Sequence, residues 1–167
     1  MMKIAVCSDI HDNLTALDNA LAVMKDKDAD ILIFCGDFCA PFTLKAIAEG
    51  FDGPVHVVWG NNDGDQWLLT EIAHKAENVT LHGVFAELDL DGYSVAAIHY
   101  PSIAQALARS DLYKLVCYGH DHTAHQELVG ETLLLNPGEM MGRFGHATFA
   151  IVNTETEEAE IHEVLSR

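Results

Sequence analysis

A chain of 167 residues is long enough for a single domain with a sizeable core, and one domain over residues 1–167 is expected. Its 26 Asp and Glu against 9 Lys and Arg give a formal net charge of −17, with no basic cluster to follow a nucleic-acid backbone, so polyanionic partners are disfavoured. Although 49% of residues are hydrophobic, no run approaches the ~20 apolar residues of a membrane span, and the first seven residues lead into a strand-like segment without a small-residue cleavage site; a cytoplasmic protein with no membrane partner is expected.

Residues 4–7, 31–35 and 55–59 are short, rich in β-branched side chains and bounded by turn residues, which predicts three strands. Helical stretches separate them. Asn13 can cap a helix with Leu14, Leu17, Leu21 and Met24 on its apolar face, Pro41 opens a second helix that Gly50 closes, and Asp65 or Gln66 begins a third running to Ala76. The βαβαβα order predicts a parallel sheet in an α/β fold. Asp91-Gly92 between residues 85–90 and 93–98 is a two-residue hairpin signal, followed by a short helix over 103–108. Strands are expected at 115–118, 127–129, 132–135, 147–152 and 159–164, and a second, mixed or antiparallel sheet packed on the first would hold them.

Cys7, Cys35 and Cys117 lie inside apolar runs and read as reduced core thiols rather than a disulfide framework. Cys39, in a turn, is expected to be the more reactive one. Pairing or zinc binding by Cys35 and Cys39 matches no zinc-ribbon spacing.

Five polar blocks follow apolar runs: Asp9-Ile10-His11, Gly36-Asp37, Gly60-Asn61-Asn62-Asp63, His99, and Gly119-His120-Asp121-His122. Each falls at the carboxyl end of an expected strand, where open α/β sheets form ligand crevices. Two carboxylates, an amide oxygen and four imidazoles suit two divalent cations, and a pair of cations ~3.5 to 4 Å apart needs one ligand touching both. Asp37 is the expected bridge. Asp9, His11 and His122 would face one cation and Asn61, His99 and His120 the other, which gives a two-metal hydrolase acting on phosphate esters.

In this order the blocks resemble the calcineurin-like metallophosphoesterase superfamily. The chain's size, Gly60 to Gly64, and Asn136-Pro137-Gly138-Glu139 resemble its small archaeal and bacterial phosphodiesterase branch, to which the retromer subunit Vps29 also belongs. That resemblance implies a four-layer α-β-β-α sandwich, two packed mixed β-sheets flanked by helices, and a dinuclear centre of manganese in the first place, with nickel, iron or zinc as substitutes. The ligand split above matches the superfamily's. Two cations would neutralise phosphate oxygens and lower the pKa of a bridging water, the nucleophile for in-line attack at phosphorus.

One departure concerns the catalytic acid. Asn62 stands where many members carry the His of Gly-Asn-His-Asp, and an amide can donate a hydrogen bond but no proton. Diesters or activated esters should then be preferred over monoesters, with a small phosphodiester as the substrate. Asp63 either orients Asn62 or caps a helix. Tyr100-Pro101 follows His99 where this branch usually has Gly; the ring would stack on an aromatic moiety or pack in the core. The Asp-Arg-Gly continuation of protein phosphatases is missing after Gly36, since the chain reads Asp37-Phe38-Cys39.

His125 and His146 read as surface groups ahead of groups that orient a metal ligand or touch substrate, and Arg143 as a solvated loop charge ahead of a phosphate contact. His56, His74, His82 and His162 read as ordinary surface or strand residues. The alternatives to a phosphodiesterase are a Vps29-like protein-binding scaffold and a metal-dependent nuclease on short oligonucleotides. A homo-oligomer stays open.

Overall fold

The computed structural model describes residues 1–165; the last two positions of the expected 1–167 domain lie outside the described residues. β1 (Lys3–Cys7), β2 (Ile31–Phe34), β3 (Val55–Val57) and β4 (Val79–Leu81) pair in parallel in that order. The connections between them carry α1 (Leu14–Asp26), α2 (Pro41–Gly50) and α3 (Gln66–Lys75). Strands covered on both faces need nearly continuous apolar sequence, and β1 and β2 have it. Ala5, Cys7, Leu32, Phe34 and Val57 join Leu17, Met24, Ile47 and Leu69 of the helices in one core. Ile4, Val6 and Ile33 point the other way, into a core shared with a second sheet.

That second sheet holds β5 (Phe85–Leu90), β6 (Tyr93–Ile98), β7 (Leu115–Cys117), β8 (His125–Val129) and β9 (Thr132–Asn136), in the order β5-β6-β7-β9-β8. β6, β7 and β9 are parallel, while β5 and β8 are antiparallel edge partners. α4 (Pro101–Ala108) covers the outer face by seating Ala104 and Ala108 in the cluster that includes Val116, Tyr118 and Leu134. Helices, sheet, sheet and helix therefore form four layers. None of the helices among the described residues is long and apolar enough to cross a membrane.

The caps follow the chemistry of their side chains. Asn13 Oδ1 accepts from Ala16 N at 3.1 Å, and Pro41 sits at the start of α2 where its missing N–H has no partner to lose. Asp65, not Asp63, caps α3 by accepting from Leu68 N at 3.2 Å.

One expectation is corrected. β10 (Ala147–Asn153) and β11 (Glu158–Val164) do not join the second sheet; β10 pairs antiparallel with β1 and β11 with β10, extending the first sheet to six strands. The reason is burial on both faces. Phe149 and Ile151 enter the helix-side core and Ala150 and Val152 the core between the sheets, which only an interior strand can satisfy. β4 had no counterpart in the sequence reading, because three residues show no period.

Close backbone approach sets the spacing at the carboxyl ends of the strands. Gly36, with φ +91°, follows β2, and a Cβ there would lie 2.5 Å from Gly60 N and 2.7 Å from its Cα. Since both atoms are backbone, neither can rotate away. Gly36→Ala is expected to lower stability by about 2 to 4 kcal/mol in urea denaturation; a loss under about 1 kcal/mol would show that the loops after β2 and β3 can part.

Candidate metal centre

All seven candidate ligands converge at this end of the sandwich, from the loops after β1, β2, β3, β6 and β7. Asp9, His11 and His122 form one group whose ligand atoms all lie within 4.8 Å of one another, and Asp9, Asp37 and His99 form a second. Asp37 Oδ2 lies 3.5 Å from His11 Nε2 and 3.5 Å from His99 Nε2, so it stands between the two sets. Asn61 Oδ1 is 3.0 Å from His99 Nε2 and 2.8 Å from His120 Nδ1. Asp9 is wholly buried; its Oδ2 accepts from His120 N at 2.9 Å, which ties the first sheet to the second.

The hydrogen bonds fix which lone pairs face inward. His99 Nδ1 donates to the Cys35 carbonyl at 2.7 Å, and His122 Nδ1 donates to Glu139 Oε2 at 2.7 Å. In the neutral ring each Nε2 then presents an electron pair, and in the imidazolium it donates to a carboxylate. On one side His122 Nε2 lies 3.5 Å from Asp9 Oδ1, an oxygen that is buried without a hydrogen-bond partner, as is His11 Nε2. On the other, His99 Nε2 comes within 3.3 Å of His120 Nδ1 and faces the acceptor oxygen of Asn61. Asp9 Oδ1 and His11 Nε2 are costly to leave buried without a partner, and the mixed nitrogen and oxygen donors around them fit divalent metal ions.

The titrating groups show the same tension. Burial alone would raise the Asp37 carboxyl, but hydrogen bonds from His99 and from the side chain and N–H of Asn62 outweigh it and hold the group well below the usual carboxylate range. Asp9 goes the other way. Burial lifts its carboxyl above the ordinary value, against the Ser8 hydroxyl, the His120 N–H and the charges of His99 and His122. For His99, burial disfavours the imidazolium, yet Asp37, the Cys35 carbonyl and Asp9 together raise its pKa.

Local backbone carries the cost of this convergence. Of the 12 non-glycine residues with positive φ among those described, five are candidate ligands: Asp9, His11, Asp37, His120 and His122. Such conformations cost about 1 kcal/mol or more each and persist where surrounding contacts over-determine them. Asp63 supplies three of those contacts. Its Oδ2 accepts from Asp37 N at 3.1 Å and Gly60 N at 2.7 Å, and its Oδ1 from Cys39 N at 2.8 Å. It is thus a staple between the loops after β2 and β3; its recorded hydrogen bonds go to these backbone groups, not to Asn62. At Gly119 a Cβ would collide with Ser8 Oγ and Asp9 Oδ2, so only glycine lets the loop after β7 close on the loop after β1.

Asn62 is exposed and bonds Asp37 twice, from its N to Oδ1 and its Nδ2 to Oδ2, each at 2.7 Å. Tyr100 is half-buried, its ring centroid 5.3 Å from His99 and 5.2 Å from His120, so it walls the site. Cys39 is corrected: burial and the neighbouring carboxylates of Asp12, Asp37 and Asp63 push its thiol up to about 12, the opposite of a reactive thiolate. His125 and His146 are exposed, lying 3.6 Å from Glu127 and 2.6 Å from Glu163. His56 and His82, expected as ordinary positions, are half-buried and share a 3.0 Å hydrogen bond.

Sequence reasoning missed Glu139 as a functional group. Nearly fully buried three residues beyond β9, it holds His122 through Oε2 and takes the N–H groups of Phe144 and Gly145 on Oε1, at 2.6 and 3.0 Å. The signal was present, since Glu139 is one more carboxylate after a parallel strand.

Residues 2–157 match the Calcineurin-like phosphoesterase superfamily domain, and the chain belongs to that superfamily. Phosphodiesterase MJ0936 of Methanocaldococcus jannaschii is 33% identical over 160 residues, 94% of this chain and 96% of that protein. The structure of an archaeal phosphodiesterase superposes with a TM-score of 0.90 at 30% identity, covering 98% of this chain and all of the other. A Vps29 structure from Entamoeba histolytica shares the fold, with a TM-score of 0.70 at 15% identity over 98% of this chain and all of that one.

Glu139→Gln keeps the size of the side chain and removes the charge that orients His122. Metal affinity, measured by competition with a chelating dye, is expected to fall about 10- to 100-fold. An unchanged affinity would remove Glu139 from the centre.

Proposed function

We propose that this protein is a dinuclear metal-dependent phosphodiesterase acting on small phosphodiesters. The observation that carries the reading is the convergence of donors around Asp37, whose Oδ2 lies 3.5 Å from both His11 Nε2 and His99 Nε2, together with Asp9 Oδ1 and His11 Nε2, which are buried without a hydrogen-bond partner. Asp9, His11 and His122 would hold one ion and Asn61, His99 and His120 the other, with Asp37 shared; manganese comes first among the candidates, then nickel, iron or zinc. Membership of the phosphoesterase superfamily and the likeness to named phosphodiesterases support the same conclusion.

Bound cations supply Lewis acidity, drawing charge from phosphate oxygens and making a water acidic enough to attack phosphorus at neutral pH. The remaining chemistry belongs to the chain. Glu139 and the Cys35 carbonyl fix the tautomers of His122 and His99, and Asp63 holds the loop from which Asn61 and Asn62 project. The exposed Asn62 amide, now spending its N–H on Asp37 Oδ2, can offer it to a phosphate oxygen, but it cannot hand a proton to a departing alkoxide. Leaving groups that are stable as anions are favoured.

The bulk charge of −17 acts in the same direction. A diester carries one negative charge where a monoester carries up to two and an oligonucleotide one per phosphate, so repulsion falls most lightly on the diester.

The deciding experiment is hydrolysis by metal-stripped protein with each candidate metal added back, using bis-aryl, mono-aryl and cyclic-nucleotide phosphates. Bis-aryl turnover should rise at least about 100-fold with metal; a monoester preference would overturn the diester reading, and no metal-stimulated turnover would move the protein to a binding scaffold. Asn62→His should separately raise turnover of alkyl relative to aryl esters by about tenfold or more, as a restored proton donor would. An unchanged ratio would rule out the leaving-group argument.

A further inference from the structure

Beside the donor sets lies a cavity of about 590 Å³ whose lining includes His122, Thr123, Phe144, His146 and Thr148. Phe144 is out of keeping with its position. It leaves 72% of its surface exposed on a loop where nothing requires an aromatic ring for packing. Its centroid stands 5.4 Å from the His122 ring, nearly perpendicular at 79°, and the Arg143 guanidinium carbon lies 5.4 Å from the same centroid. The loop is anchored: the backbone N–H groups of Phe144 and Gly145 both donate to Glu139 Oε1, while Glu139 Oε2 holds His122. One buried carboxyl group therefore holds a candidate ligand and the backbone that carries an exposed aromatic ring.

We propose that Phe144 is a stacking platform for an aromatic ester group, so that the centre selects phosphodiesters bearing a flat ring, with Arg143 adding positive charge beside it. The inference rests on the phosphodiesterase reading above. An exposed ring pre-positioned by hydrogen bonds to its own backbone loses little freedom on binding, which makes the contact productive. The cavity lining also carries the Asp121 carboxylate, and the guanidinium over one face of the Phe144 ring offsets part of the repulsion an anionic ester meets on approach, leaving the other face for stacking.

The test compares binding of three monoesters to the metal-loaded protein by calorimetry: phenyl phosphate, cyclohexyl phosphate as its saturated counterpart, and thymidine 5′-monophosphate. The unmodified protein should bind phenyl phosphate about three- to tenfold more tightly than cyclohexyl phosphate, as expected for an aromatic contact beyond simple area burial. F144A and F144L should abolish that preference and F144W should keep it. Whichever of phenyl phosphate and the nucleotide loses more affinity in F144A identifies the ring as an aryl ester or a nucleobase. A preference that is missing in the unmodified protein, or that survives in F144A or F144L, overturns the platform. Bis(p-nitrophenyl) phosphate turnover is followed in parallel. Turnover without ring preference overturns this inference alone, whereas no turnover by the unmodified protein overturns the phosphodiesterase reading and this inference with it.

Discussion

Acceptor atoms gathered at one place need a proton or a cation between them, and this requirement organises the end of the sandwich where the polar blocks meet. Asp9 Oδ1 and the Nε2 atoms of His11 and His122 converge on one side, and Asn61 Oδ1, His99 Nε2 and His120 Nδ1 on the other. None of the loops after β1, β2, β3, β6 and β7 supplies more than two of the seven candidate ligands. The parallel strands solve the problem by delivering several loops to one edge. Their helices stay on the outer faces, and Gly36 and Gly119 let the loops touch backbone to backbone or backbone to side chain.

Much of this was legible in the sequence because turn chemistry and strand ends are local. Asp91-Gly92 fixed both strands of the β5–β6 hairpin to the residue, and Asn13 and Pro41 marked the starts of α1 and α2. The placement of β10 and β11 was not legible. The continuous apolar run of β10 says that both its faces are buried, and β11 alternates as an edge strand does, but choosing between the free edge of β1 and the second sheet needs long-range pairing that no short window contains. Cys39 illustrates a different gap: its position in a turn suggested access, while its pKa is set by carboxylates from Asp12 and Asp63 that only the fold brings near.

Glu139 and Asp63 form a supporting layer that residue lists of a centre tend to omit. Each spends its oxygens on fixing other groups, Glu139 on His122 and the loop bearing Phe144, Asp63 on backbone N–H groups of Asp37, Cys39 and Gly60. Both are buried carboxyl groups, a costly placement that several hydrogen bonds from donors offset. The five candidate ligands with left-handed backbone depend on this layer, since an unsupported loop would relax out of those conformations.

The bond from His120 N to Asp9 Oδ2 joins the two sheets at the edge where the loops gather. Between the sheets the core is apolar and tolerates small sliding movements; here the contact is directional. Ions shared by residues of both sheets would act as a clasp on the open end of the sandwich, so that the free energy of ion binding is also free energy of layer cohesion. A sandwich built this way has a mechanical reason to retain its donors that is separate from hydrolysis.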